Sequence, residues 1–191
     1  LQRLFDHWAS RPRQRIDMPM LVRFALATGM RQGEICRLQV EDINRERRTV
    51  VIRDRKDPRQ KAGNDQTVPL LPDAWAIVEP LIKDRTEGSL FGVLAASVST
   101  AFTRACQDTQ PPIDDLTFHD LRHRATAQFF RMGLQIPQVA LLTGHKTWAM
   151  LRRYTAVKPE DVLAAIEKSA SPAPSSRAKA GPGGAATLPD P

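Results

Sequence analysis

The sequence predicts a mostly α fold with one small antiparallel β-sheet, an α+β class. Three observations carry that prediction. Apolar residues recur at helical spacing in most segments of the chain. Only one region changes period, where the β-branched runs "RRTVVIRDR" and "QTVPLL" flank a polar stretch, "KDPRQKAGND", rich in turn formers. No internal repeat is visible, which argues against a solenoid.

The elements follow in order. The opening "LQRLFDHW" is amphipathic and charged and begins without Met, so it is not a signal peptide, and further chain is expected to precede it. "MPMLVRFALATG" places Met20, Leu21, Phe24 and Leu26 on one broad helical face and stops at Gly29. "RQGEICRL" restarts a helix at once. The two β-branched runs form a strand, a long polar loop and a second strand, a hairpin-like unit. "PDAWAIVEPLI" returns to helix with Pro72 and Asp73 as start signals. "SVSTAFTRACQ", "TFHDLRHRATAQFFRMG", "QIPQVALLTG", "TWAMLRRYTAV" and "PEDVLAAIEKS" read as further helices. Residues 169–191 hold five of the fifteen prolines and three of the ten glycines with almost no apolar bulk, too little to offset ordering entropy, so a disordered tail is expected there. The globular part is then 1–168.

Bulk composition narrows the function classes. A hydrophobic share of 41% supports a packed core. Lys and Arg number 28 against 21 Asp and Glu, a net charge of +7, and such a surface attracts polyanions, nucleic acid first among them. Cys36 and Cys106 lack metal-type spacing and read as buried free thiols in a reducing compartment, consistent with a cytoplasmic protein. No run of about 18 apolar residues exists to span a membrane.

The chemistry concentrates in "TFHDLRHRATAQFF". His119, Arg122 and His123 fall at i, i+3 and i+4 and share a helix face, while Phe118, Leu121, Ala125 and Phe129 form an apolar one. His-x-x-x-His can chelate zinc, but Asp120 stands where the zinc motif needs Glu, and Arg122 sets a guanidinium between the two rings, so no metal site is expected. For His123 the sequence favours a structural role, hydrogen-bonded to backbone. A phosphate site is the remaining reading of the cluster, since Arg offers two donors in a planar fork. Arg31 in "TGMRQGE" lies at the junction of two helices, where helix N-termini and Arg favour anions. Gly144-His145 and Tyr154, the only tyrosine of the chain, complete the series.

"ATGMRQGEICRL", "HDLRHRAT", "LTGH" and the terminal "Y", in this order, resemble the catalytic domain of tyrosine recombinases, also called phage integrases. The separations agree with that pattern: three residues from His119 to Arg122, 23 to His145 and nine to Tyr154. The resemblance covers about residues 1–166, and the long hairpin loop is similar to integrases of the shufflon-invertase type. It implies site-specific cleavage and rejoining of double-stranded DNA through a 3′-phosphotyrosine, with no cofactor, metal or ATP. Tyr154 is the implied nucleophile. Arg31 and Arg122 clamp the non-bridging oxygens, His119 accepts the phenolic proton or holds the phosphate, and His145 donates to a phosphate oxygen. A hairpin lysine protonates the leaving 5′ oxygen: Lys56 is the choice, Lys61 the alternative. Glu34 orients an arginine or histidine, with an intrahelical pair to Arg37 as the plainer role. Arg152, Arg153 and Lys61 are candidate DNA contacts. The resemblance further implies a homo-tetramer on DNA, an N-terminal DNA-clamping domain that this chain lacks, and a terminal helix over 159–168 that docks on a neighbour. Two alternatives stay open: a non-catalytic DNA-binding relative, and a type IB topoisomerase-like enzyme.

Overall fold

The computed structural model describes residues 1–11, 14–57 and 63–155. Lys61, the expected helix over 159–168 and the expected tail at 169–191 lie outside the described residues.

The helices are α1 (Gln2–Ala9), α2 (Met18–Thr28), α3 (Gln32–Arg37), α4 (Pro72–Ile82), α5 (Ala95–Asp108), α6 (Phe118–Arg131) and α7 (Ile136–Thr143). Between α3 and α4 run β1 (Ile43–Asn44), β2 (Thr49–Ile52) and β3 (Gln66–Pro69), in that spatial order and antiparallel throughout. The expected hairpin is β2–β3, in register from Thr49 opposite Pro69 to Ile52 opposite Gln66. The two-residue β1 was not anticipated; it is too short to show a period.

Local chemistry sets the ends. Asp17 caps α2 by accepting the Met20 N–H at 2.9 Å, a contact of about 1 kcal/mol. Gly29 ends the helix at φ +62, and a Cβ there would lie 3.0 Å from Thr143 Cγ2 and 3.1 Å from the Phe129 ring. Glycine therefore serves both the left-handed turn and the approach of α2 to α6 and α7. Asp120 accepts from both the backbone N–H and the hydroxyl of Thr117, each at 2.7 Å, and fixes the start of α6.

α6 stands between two packed clusters. Phe118 and Leu121 join the main core with Leu21, Val22 and Phe24 of α2, Trp8 of α1 and Phe102 of α5. Ala125 and Phe129 join Val139, Leu142 and Leu151 in a second cluster, against which Tyr154 packs. The expected apolar face of α6 is therefore the observed one. The face of α2 is rotated from the expected one: Leu21 and Phe24 are buried with Met18, Val22 and Ala25, whereas Met20 and Leu26 are only half-buried. Contact with α4 and α6 on two sides selects that set.

Two expectations fail locally. "TWAMLRRYTAV" is not an α-helix as far as Thr155 but two 3₁₀ turns, Trp148–Met150 and Arg152–Tyr154. Only Leu151 of these residues is buried, while Trp148 is 69% exposed, so no apolar stripe holds a longer helix and the chain tightens into i→i+3 bonds. The run "RRTVVIRDR" leaves the ladder after Ile52 because Asp54 adopts φ +45. Its N–H donates to Asp65 Oδ1 and its carboxylate accepts from Gly63. That turn reverses which side of the hairpin Arg55 faces. Both cysteines are free, with Cys106 buried and Cys36 only half-buried.

Candidate active site

The site forms where the α2–α3 junction, the hairpin turn, α6 and the segment after α7 meet. Arg122 projects inward from α6 and is 3% exposed. Its Nη1 donates to the carbonyls of Gly29, at 2.8 Å, and Thr143, and its Nη2 donates to His145 Nε2 at 3.3 Å. Three of the five guanidinium donors are thus held by described residues, which leaves two for a ligand.

His145 is buried at the same spot. Thr143 Oγ1 donates to the Val139 carbonyl at 2.6 Å, so it accepts from His145 Nδ1, also at 2.6 Å. This chain of donors sets the tautomer: Nδ1 carries the proton and Nε2 receives Arg122. Burial, then Arg122 and Arg31, push the imidazole down to about 4, so it is neutral at pH 7. In this arrangement His145 orients the guanidinium.

Glu34 is 3% exposed and gathers the other arginines. Its carboxylate accepts the Arg31 backbone N–H at 2.9 Å, Arg31 Nη1 at 2.7 Å and Arg55 Nε at 3.4 Å. Burial raises its pKa, but Arg55 and both Arg31 contacts outweigh this and the net shift is downward. The alternative pair with Arg37 is not seen. Burial and the neighbouring Arg31 lower Arg122 to about 10, and it keeps its charge at neutral pH. Two guanidiniums, Arg31 and Arg55, thus pair with Glu34, and Arg122 stands within reach of the same carboxylate's charge, a local surplus of positive charge that an anion relieves.

Arg55 is the residue that sequence reasoning missed. It is fully buried and bridges the hairpin to α7. Nη1 donates to Gln66 Oε1 and the Leu141 carbonyl, both at 3.0 Å, and Nη2 donates to the Leu142 carbonyl at 2.7 Å. It thereby satisfies carbonyls that the end of α7 leaves open. Gly144 follows at φ +69, and a Cβ there would sit 2.6 Å from Arg55 Cζ, so the glycine makes room for the guanidinium. In "RDRK" nothing but the residue between them separates Arg55 from Arg53, which is exposed and pairs with Asp42. The one available signal was Asp54, a residue type that tolerates positive φ.

Lys56 is exposed, yet its flanks are tied down. Arg55 before it binds α7, and Asp57 after it pairs with Lys146 at 3.0 Å, next to His145. The structure thus holds the Lys56 backbone beside the arginine cluster.

Tyr154 completes the group. Its hydroxyl lies within hydrogen-bond distance of His123 Nδ1. Its ring lies near-parallel to those of His123, at 30° and 6.2 Å between centroids, and Phe130, at 19° and 6.4 Å. Burial pushes the phenol above its ordinary value against the opposing pull of Arg153 and Arg122. The backbone partner expected for His123 is replaced by this hydroxyl. His119 is exposed one turn earlier and meets the His123 ring edge-on at 4.9 Å. Burial, then His123 and Arg122, lower its pKa. Arg152 and Arg153 are exposed on the turn that carries Tyr154, with the Arg153 guanidinium 5.5 Å from the phenol ring centroid.

The neutral state of His145 has a measurable consequence. Its folded pKa, about 4, lies below the ordinary 6.5. The stability it contributes is therefore complete above about pH 6.5 and is lost as pH falls toward 4, a change of about 3 kcal/mol at most. Urea unfolding across this range is expected to show that decline, and His145→Asn to flatten it. An identical decline in the variant would contradict the assignment.

Comparisons place the chain. The model of the phage integrase family matches residues 1–161. A shufflon-specific DNA recombinase of Escherichia coli is 32% identical over 149 residues, 78% of this chain and 37% of that protein. A tyrosine recombinase XerA of Pyrococcus furiosus is 24% identical over 166 residues, 83% of this chain and 56% of that one. The chain thus spans between about a third and just over half of these relatives. Among solved structures, a Tn1549 transposon integrase in complex with transposon right end DNA superposes with a TM-score of 0.62 at 18% identity, covering 80% of this chain and 58% of that one. The XerA recombinase crystal structure gives 0.59 at 19%, covering 90% and 62%. These likenesses show the fold, mostly helical with a three-stranded antiparallel sheet, and the family match extends over most of the chain: the protein belongs to the phage integrase family.

Proposed function

We propose that this chain is the catalytic domain of a site-specific DNA recombinase that breaks and rejoins double-stranded DNA through a 3′-phosphotyrosine on Tyr154. One observation carries the reading. The chain's only phenol lies within the field of Arg122, at a cluster where Arg31 and Arg55 pair with Glu34 and Arg122 adds a third guanidinium. Such a site suits a phosphodiester, whose non-bridging oxygens gather charge as phosphorus is attacked.

The roles follow from the uncommitted donors. Arg31 and the two free donors of Arg122 grip the non-bridging oxygens, and exposed His119 adds a further donor at the same face. His145 and Glu34 hold the guanidiniums in place. Tyr154 attacks, its oxygen bonds to phosphorus, and the bond to the 5′ oxygen breaks. Lys56 protonates that oxygen, and the freed 5′ hydroxyl later attacks in reverse. The bond is exchanged rather than hydrolysed, so no ATP is consumed. Arg152, Arg153 and Lys61 serve as contacts to neighbouring phosphates. The proposed recombinase belongs to a mobile element and acts in the cytoplasm as a homo-tetramer on DNA, with the catalytic domain at 1–168; the similarity to a shufflon-specific DNA recombinase supports the site-specific recombinase part of that reading.

Covalent trapping tests the proposal. A random-sequence library of nicked duplexes, incubated with the chain in EDTA without ATP and then denatured, is expected to yield protein-bound DNA that Tyr154→Phe eliminates. Cleavage that chelator stops and Mg²⁺ restores would instead mark a metal-dependent nuclease, and DNA binding with no trapped strand a non-catalytic relative.

A further inference from the structure

We propose that His123, and not His119, receives the phenolic proton when Tyr154 attacks phosphorus; the inference rests on the recombinase reading above and assigns the proton transfer within it.

The geometry singles out His123. It is the residue whose ring nitrogen meets the Tyr154 hydroxyl, whereas His119 shows no hydrogen bond to the phenol among the described residues. His123 and Phe130 stand seven residues apart, two turns of α6, and so share one face. Their rings form the seat on which the phenol lies, near-parallel to both. His119 is one turn nearer the helix start, exposed, and touches the phenol only through the edge of His123. The proton acceptor and the seat are thus built from the same helix that sends Arg122 inward to the phosphate site.

The groups facing His123 keep it able to accept. Arg153 comes from the turn that bears Tyr154, and Arg122, His119 and Asp120 come from α6 itself. Burial, then Arg153, hold its pKa below the ordinary value against the opposing effect of Asp120. The ring is therefore neutral at pH 7, and its proton is assigned to Nε2, which leaves the Nδ1 lone pair facing the phenol. When the phenol attacks, the O–H bond breaks and its proton passes to Nδ1. The new Tyr154 O–P bond forms, the P–O5′ bond breaks, and the 5′ oxygen takes its proton from Lys56. In the reverse step His123 returns its proton to the phenol. A general base must lie within hydrogen-bond reach of the proton it takes, and His123 already does.

Two measurements on the 191-residue chain test this. Ring-¹⁵N-labelled histidine gives four imidazoles to follow. Tyr154→Phe is expected to move the Nδ1 resonance of His123, assigned with His123→Gln, toward the unbonded position while His119 stays put. An unmoved His123 overturns the proposal, and this variant keeps every histidine in place. The second measurement is the rate of covalent trapping from the nicked library against pH. With His123→Gln the rate near neutral pH is expected to fall about 10²-fold or more. It then climbs about tenfold per pH unit, because only pre-formed phenolate attacks. His119→Gln is expected to keep the shape of the wild-type profile. A wild-type profile in His123→Gln, or the rising profile in His119→Gln, overturns the proposal alone. No trapped strand from the wild type overturns the recombinase reading and this proposal with it.

Discussion

Arg122→Lys is expected to slow covalent trapping by about 10²–10³-fold, the usual cost of losing a donor aimed at developing charge. The substitution keeps a cation but removes the fork. Lysine brings three donors on a flexible stem where arginine brings five in a plane. Arg122 uses that plane to hold Gly29, Thr143 and His145 at once and still leave two donors. Lysine cannot do both. Thermal melting separates the two consequences: a trapping defect far larger than the fraction unfolded supports direct contact with phosphate. A defect that only tracks loss of fold would reduce Arg122 to a structural tie between α2, α6 and the segment after α7.

Arg55→Met is expected to destabilise the domain by about 3–5 kcal/mol, because two buried carbonyls lose a charged donor at about 1–3 kcal/mol each and Glu34 loses one of its two guanidinium partners. Against a total of about 5–15 kcal/mol for a typical domain, this is severe. Glu34 retains Arg31, but the Leu141 and Leu142 carbonyls lose their donor, and the hairpin loses its hold on α7. Urea unfolding reads the loss directly. A change below about 1 kcal/mol would place Arg55 with ordinary surface ion pairs and remove the argument that it positions Lys56.

The sequence made much of this legible because several elements announce themselves locally. Gly29 ends α2 and Pro72 starts α4, and each signal acts within a turn of its own residue. The ordered series Arg31, His119, Arg122, His145, Tyr154 was readable for another reason, since its residue types and separations resemble the pattern of the phage integrase family. What escaped depends on contacts remote in sequence. Arg55 differs from Arg53 only through the positive φ of Asp54 and the carbonyls waiting at residues 141 and 142. The partner of His123 lies 31 residues away, on a turn whose own conformation was misread. That turn looked helical because Trp148, Met150 and Leu151 are apolar, yet only Leu151 finds a core to enter. Periodicity reports which residues are able to bury themselves, and the rest of the fold decides which of them do.

Tyr154 is the proposed attacking group. Digesting the denatured, trapped complex and locating the nucleotide by peptide mass spectrometry tests this most directly. The predicted result is a phosphonucleotide on the peptide that carries Tyr154, bound to the phenolic oxygen, with the DNA attached through its 3′ end. An adduct on a serine, a lysine or any other residue, or attachment through a 5′ phosphate, would contradict it.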